Sequence, residues 1–286
     1  NSLKYFANLS AAWATGGNLN ITRRQLAGAG TQTAGLAFGG GGVPTAPVAT
    51  EEYNGSSWAN GGNLGTGRAY LGGCGTQTAG LAFGGYVDGA SALTEEYGGT
   101  SWTAGGNLNT ARWGLKGAGT QTAGLAFGND GGTQTEEYNG SSWTNGGNMS
   151  VARRYMAGAG TQTAGLAAGG GPPITASTEE YNGSSWTNGG NLNSARTTLA
   201  GAGLQTAALA FGGQKSTPVA ALTEEYDGSS WTVSSVMNVG RAYLAGCGTQ
   251  TAGLAFGGDP GGAPATFNLT EEFTGGGPTT LTVGTD

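Results

Sequence analysis

The sequence predicts an all-β fold: a six-bladed β-propeller of four-stranded antiparallel blades. Three observations predict it. With small changes, GTQTAGLAFGG recurs six times and TEEYNGSSW five times along the 286 residues. Trp13, Trp58, Trp102, Trp143, Trp186 and Trp231 are spaced 45, 44, 41, 43 and 45 residues apart. Asn-Gly, Asp-Gly or Gly-Gly begins four residues before five of these tryptophans, and such dipeptides accept the positive φ angles of a tight hairpin. Four short strands at a period of about 44 residues describe a propeller blade. The glycine density and the lack of any 3.6-residue apolar period exclude a helical repeat.

Within each repeat, strand a is expected to run from a recurring arginine (Arg23, Arg68, Arg112, Arg153, Arg196, Arg241) through a small-residue stretch such as LAGAG. Strand b is TAGLAFGG. Strand c is TEEY, ending at Tyr53, Tyr97, Tyr138, Tyr181, Tyr226 and Phe273, and strand d carries the tryptophan. Only five d strands follow a c strand, because Trp13 precedes every a strand. Residues 1–17 are therefore expected to supply the outer strand of the last blade, which closes the ring and removes the open edges of a sheet. This makes 1–273 one propeller domain and leaves 274–286 as a C-terminal tail or a link to further chain. TTLTV at 279–283 is the competing donor for ring closure. The chain starts at Asn1 rather than Met, which is read as a processed product or a piece of a longer polypeptide.

Composition narrows function by exclusion. The 61 glycines imply many turns, while seven Trp, ten Tyr and eight Phe imply an ordered core. A net charge of −6 with 11 unclustered basic residues argues against nucleic acid as a partner. No apolar run approaches the roughly 20 residues that cross a bilayer, so no membrane insertion is expected. Histidine is absent, which removes His-ligated metals and the commonest general base. No metal and no cofactor are expected.

All twelve glutamates lie in six Glu-Glu pairs. Neighbours on a strand face opposite ways, so a pair cannot share one substrate. One glutamate per blade is expected to meet a recurring arginine, giving the arginines and tryptophans a framework role. Cys74 and Cys247 stand where other blades have alanine, in blades separated by blade one, and are expected to be buried free thiols. Asn54, Asn139 and Asn182 lie in Asn-Gly-Ser sequons, but the hairpin turn already accounts for them.

The combination FGG…TEEY…W resembles the kelch repeat through nearly the whole chain. The phrases GSSWTNGGNLN and GTQTAGLAFGG also look like the kelch-like proteins of marine bacteriophages, a resemblance that implies a virion component of the capsid or tail. The copper chemistry of kelch-type galactose oxidases needs histidines this chain lacks, and the Asp-box of sialidases is not found. Blade four departs from the pattern with Ala168 in place of Phe, and Met156 in place of Leu is expected to fill the gap.

Variation concentrates on one face. The a–b and c–d turns are nearly constant, whereas the b–c loops differ in length and chemistry in every blade. The two residues after each recurring arginine also vary. Binding is therefore expected at Arg24, Tyr70, Trp113, Arg154, Tyr155 and Tyr243, with Lys215 in the fifth b–c loop. The expected function is non-enzymatic: a structural or binding module on a virion or cell surface, taking a virion protein or a surface glycan. Low charge and short polar turns are compatible with a homo-oligomer or array. The alternatives are a carbohydrate-active enzyme using carboxylates such as Asp88, Asp130 and Asp259, and an intracellular kelch-type adaptor.

Overall fold

The computed structural model describes residues 3–41, 48–215, 219–261 and 265–283. Parts of the first, fifth and sixth b–c loops thus lie outside the described residues, as do the chain ends. Six four-stranded antiparallel sheets stand around a common axis, and the repeat is consistent with a kelch-like fold. After β1 (Leu3–Leu9) and β2 (Ala12–Thr15), blade one holds β3 (Ala27–Gly30), β4 (Gly35–Phe38), β5 (Thr50–Tyr53) and β6 (Trp58–Asn60). Blade two holds β7 (Gly72–Gly75), β8 (Gly80–Phe83), β9 (Thr94–Tyr97) and β10 (Trp102–Ala104). Blade three holds β11 (Lys116–Gly119), β12 (Gly124–Phe127), β13 (Thr135–Tyr138) and β14 (Trp143–Asn145). Blade four holds β15 (Ala157–Gly160), β16 (Gly165–Ala168), β17 (Thr178–Tyr181) and β18 (Trp186–Asn188). Blade five holds β19 (Ala200–Leu204), β20 (Ala207–Phe211), β21 (Thr223–Tyr226) and β22 (Trp231–Val233). Blade six holds β23 (Ala245–Gly248), β24 (Ala252–Phe256) and β25 (Thr270–Thr274), and its outer strand is β2.

The ring closes through the N-terminus, with Trp13 paired to Phe273 across β2 and β25. Only 12–15 of the expected residues 1–17 form that strand. Residues 277–283 form β26, which does not compete for the place; it pairs with β1 in a separate antiparallel ribbon, Leu3 opposite Val283 and Leu9 opposite Gly277. Strand a is also shorter than expected. It begins four residues after each arginine, because the intervening residues turn around the channel mouth and bond to other blades.

Each blade is fastened to its predecessor in the same way. The tryptophan indole N–H donates to the threonine opening strand c of the preceding blade at 2.8–3.0 Å, from Trp58 to Thr270 around to Trp13 to Thr223. The glutamine of each a–b turn donates to the last carbonyl of the preceding strand c at 2.6–2.7 Å, as Gln32 does to Phe273. This explains the constancy of GTQT. At five junctions the tryptophan also lies against the strand b Phe of the preceding blade, with centroids 5.0–5.2 Å apart. The exception is Trp231, which meets Ala168. Met156 does not fill that gap. It packs with Phe127 and Trp186 between blades three and four, whereas Ala168 faces blade five.

The two glutamates of each pair have separate partners. The first meets its own blade's arginine at 2.5–3.1 Å. Its other oxygen accepts a backbone N–H from the loop ahead of that arginine at 2.6–2.7 Å. The second accepts the hydroxyl of the next blade's tyrosine, as Glu272 accepts Tyr53 at 2.6 Å and Glu137 accepts Tyr181 at 2.6 Å. Burial, then the bond to glutamate, pushes the Tyr53 hydroxyl up to about 12.

One junction breaks this rule and is repaired locally. Blade six has Phe273 where the others have Tyr, so Glu225 lacks its hydroxyl; Ser234 Oγ donates to it instead at 2.5 Å. Ser234 replaces a glycine. A Cβ on the equivalent Gly61 would lie 2.6 Å from the Tyr97 hydroxyl, so serine and tyrosine cannot coexist there. Phe273→Tyr alone is expected to lose about 1–3 kcal/mol through overpacking, and Ser234→Gly alone about 1 kcal/mol through the unpaired carboxylate. The double variant should return near wild-type stability, a coupling of about 1–2 kcal/mol. Chemical denaturation of the four proteins measures it, and additive losses would contradict the pairing.

Cys74 and Cys247 are buried and free, and each thiol faces the carbonyl of the next blade's a–b turn, Thr120 and Thr31, at 3.6 Å. Burial pushes both thiols up to about 12, which keeps them protonated at neutral pH.

Candidate functional site

At the b–c loop end of the channel, the second residue after each framework arginine belongs to a closed ring. Gln25, Tyr70, Gly114, Tyr155, Thr198 and Tyr243 each donate their backbone N–H to the carbonyl of the ring residue before them, and Gln25 closes onto Tyr243, all at 2.8–3.0 Å. Every member is left-handed, with φ of 54–60° at the five non-glycine positions and 73° at Gly114. A side chain in that region costs about 1–2 kcal/mol, more for a β-branched one, so five such residues hold strain that the six inter-blade bonds offset. Concentrated strain of this kind is found at functional sites.

The ring alternates tyrosine with the non-aromatic Gln25, Gly114 and Thr198. Tyr70, Tyr155 and Tyr243, from blades two, four and six, meet over the axis with centroids 5.4, 6.1 and 5.5 Å apart. Burial, then the neighbouring Tyr70 hydroxyl, pushes the Tyr155 and Tyr243 hydroxyls above their usual range, so these two stay uncharged at neutral pH. Trp113 leans on this trio, 5.3 Å from Tyr70 and 6.0 Å from Tyr155. Gly114 makes the approach possible, because a Cβ there would lie 3.0 Å from the Cβ of Arg154. The Arg154 guanidinium lies 4.6 Å over the Trp113 ring and 4.9 Å over Tyr155. Its NH1 also bonds to Asp130 across the junction of blades three and four.

Two grooves flank this stack. One, of about 170 Å³, is lined by Arg154, Tyr155, Pro172, Ile174, Thr198 and Tyr243 among others. The second, of about 120 Å³, lies between Trp113, Ala90, Asn129 and Asp130. The arrangement offers flat apolar ring faces, a planar cation already stacked, and two shallow polar-rimmed hollows.

Of the residues picked from sequence, Tyr70, Trp113, Arg154, Tyr155 and Tyr243 come together here. Arg24 does not join them as a free cation, because its NH1 is held at 2.6 Å by the buried Asp259 of blade six. Lys215 stands exposed in the fifth loop and enters none of the ring contacts, ion pairs or grooves formed by the described residues. Tyr86, which the sequence did not single out, is exposed and packs 5.8 Å from Trp113. Its place at the head of the second b–c loop was the available signal. Among the described residues, no group of three or more Cys, Asp or Glu is placed to hold a metal ion. The sequence matches no protein-family model, and no curated protein is significantly similar to it.

Proposed function

We propose that this propeller is a non-catalytic binding module that takes a surface glycan on the aromatic face of its b–c loop end. The observation that carries the reading is the half-buried Arg154–Trp113–Tyr155 stack joined to the tyrosine trio through Tyr155, with a groove on either side. Sugar rings present C–H faces to aromatic rings and hydroxyls to guanidinium and carboxylate groups, and the stack offers both. The carboxylates that a hydrolase would use are largely committed: Asp130 to Arg154, Asp259 to Arg24, and each first glutamate to a framework arginine. The likeness of the repeat phrases to phage kelch-like proteins supports a place on a virion surface, where a rigid disc with one variable face would serve attachment. A virion protein docking on the same face is the second reading, favoured by Tyr, Trp and Arg as anchors of protein contacts.

Glycan-array binding by the wild type and by Trp113→Ala tests the proposal. The wild type should retain a defined set of sugars, and the variant should lose at least about tenfold in affinity with its unfolding midpoint nearly unchanged. Equal binding by both proteins would overturn the assignment of the site. Mass spectrometry of particle, envelope and soluble fractions tests location: enrichment with a capsid or tail protein supports the virion reading, and absence from particles ends it.

A further inference from the structure

Lys116 occupies the first position of the inner strand of blade three, where the other blades have Ala27, Gly72, Ala157, Ala200 and Ala245. It is the one charged residue on an inner strand, and it lies at the boundary of two cavities in the central channel. The upper, of about 30 Å³, is roofed by the tyrosine trio. The lower, of about 40 Å³, is lined by Lys116 and by Gly28, Gly73, Gly117, Gly158, Gly201 and Gly246. Each is large enough for more than one water-sized atom. Lys116 is half-buried; no hydrogen bond or ion pair to its ammonium occurs among the described residues, and desolvation pushes its amine down to about 8.

The register of the inner hairpins decides what else faces this lysine. Thr31 N–H donates to Ala34 O at 3.0 Å, so the Thr31–Ala34 pair is hydrogen-bonded. Bonded and non-bonded pairs alternate along an antiparallel ladder. Ala29–Leu36 and Ala27–Phe38 are therefore bonded, while Gly28 opposite Ala37 directs its N–H and C=O away from β4 and into the channel. The same register repeats in the other blades. The lower cavity is thus walled by backbone, with inward N–H donors and inward C=O acceptors alternating from six strands, and the Lys116 ammonium is the one full charge among them.

We propose that the channel is a binding site for one small inorganic anion, held by the Lys116 ammonium and by the inward N–H groups of the inner-strand glycines. A half-buried cation without a counter-charge loses part of its hydration uncompensated, and the anion offsets that cost. The other titratable groups lining the two cavities are Tyr70, Tyr155 and Tyr243, and no carboxylate lines either one. The anion site lies beneath the tyrosine trio, on its channel side, and its test reads Lys116 rather than glycan binding.

The chain has three lysines, Lys4, Lys116 and Lys215, so ¹³Cε-lysine NMR resolves each one. Inorganic phosphate and chloride are titrated separately at constant ionic strength into the wild type and Lys116→Ala, a residue four other blades already carry. The expected result is a saturable shift of the Lys116 signal with one of them, its pKa rising by about one unit. The unfolding midpoint should rise by about 2–5 °C in the wild type only. Without the anion, the lowered amine makes the unfolded chain bind more protons between about pH 8 and its ordinary value, so wild-type stability rises with pH across that window. Lys116→Ala should lose that slope. An unresponsive Lys116 signal with both anions, or an equal midpoint rise in Lys116→Ala, would overturn the proposal.

Discussion

Arg196→Ala is expected to destabilise the protein by about 3–5 kcal/mol, although the residue touches no ligand surface. Arg196 and Glu224 are both fully buried and meet at 2.9 Å. The guanidinium also donates to the carbonyls of Gly212 at 2.7 Å and Leu222 at 2.9 Å, tying strand b to the loop that leaves it. Glu224 accepts the Asn193 backbone N–H at 2.6 Å, fixing the chain that enters the blade. Removing the arginine leaves a buried carboxylate without its counter-charge and two carbonyls without donors. Burial lowers the arginine's pKa, and the neighbouring glutamate opposes the shift. Arg196→Met with Glu224→Leu should lose less than Arg196→Ala, because a hydrophobic pair avoids the stranded charge. Urea midpoints of the three proteins decide this. A loss below about 1 kcal/mol for Arg196→Ala would mean that the pair is not a framework element.

Deleting residues 1–17 is expected to have the larger effect: loss of the soluble monomer. The deletion removes β2, exposes the edge of β25 and empties the junction of blades five and six. Trp13 is 7% exposed there, donates to Thr223 at 2.9 Å and lies between Phe211 and Phe273. Trp13→Ala alone should cost about 3–5 kcal/mol, and the whole strand more, since its backbone bonds go too and an unpaired edge invites association. Deleting residues 1–10 spares β2 and is the control. Size-exclusion chromatography and thermal unfolding measure the outcome. A monomeric 1–17 deletion as heat-stable as the parent would contradict closure through this strand.

Much of the architecture was legible because a repeat writes every framework contact six times. A tryptophan, a Glu-Glu pair and an arginine at fixed spacing can be read as structural from their recurrence alone, and the N-terminal Trp13 is legible as the missing sixth member. The departures from the repeat were harder. Phe273 and Ser234 look unrelated in the sequence, being 39 residues apart, and only the junction shows one hydroxyl standing in for another. Met156 and Ala168 look like a compensating pair because they share a blade, yet their side chains face different neighbours. Adjacency in a repeat predicts the strand; it does not predict which blade the side chain packs against.

By itself the sequence determined the blade count, the order of strands, the closing element and the face that carries variation, since each follows from local pattern and recurrence. Tertiary structure alone decided the left-handed ring, the meeting of three tyrosines over the axis, the capture of Arg24 by Asp259, and the exposure of Lys116 to an inward-facing backbone. These depend on which groups six blades bring together around one axis. The distances there are set by packing between residues as far apart as Arg24 and Asp259, and no local pattern encodes them.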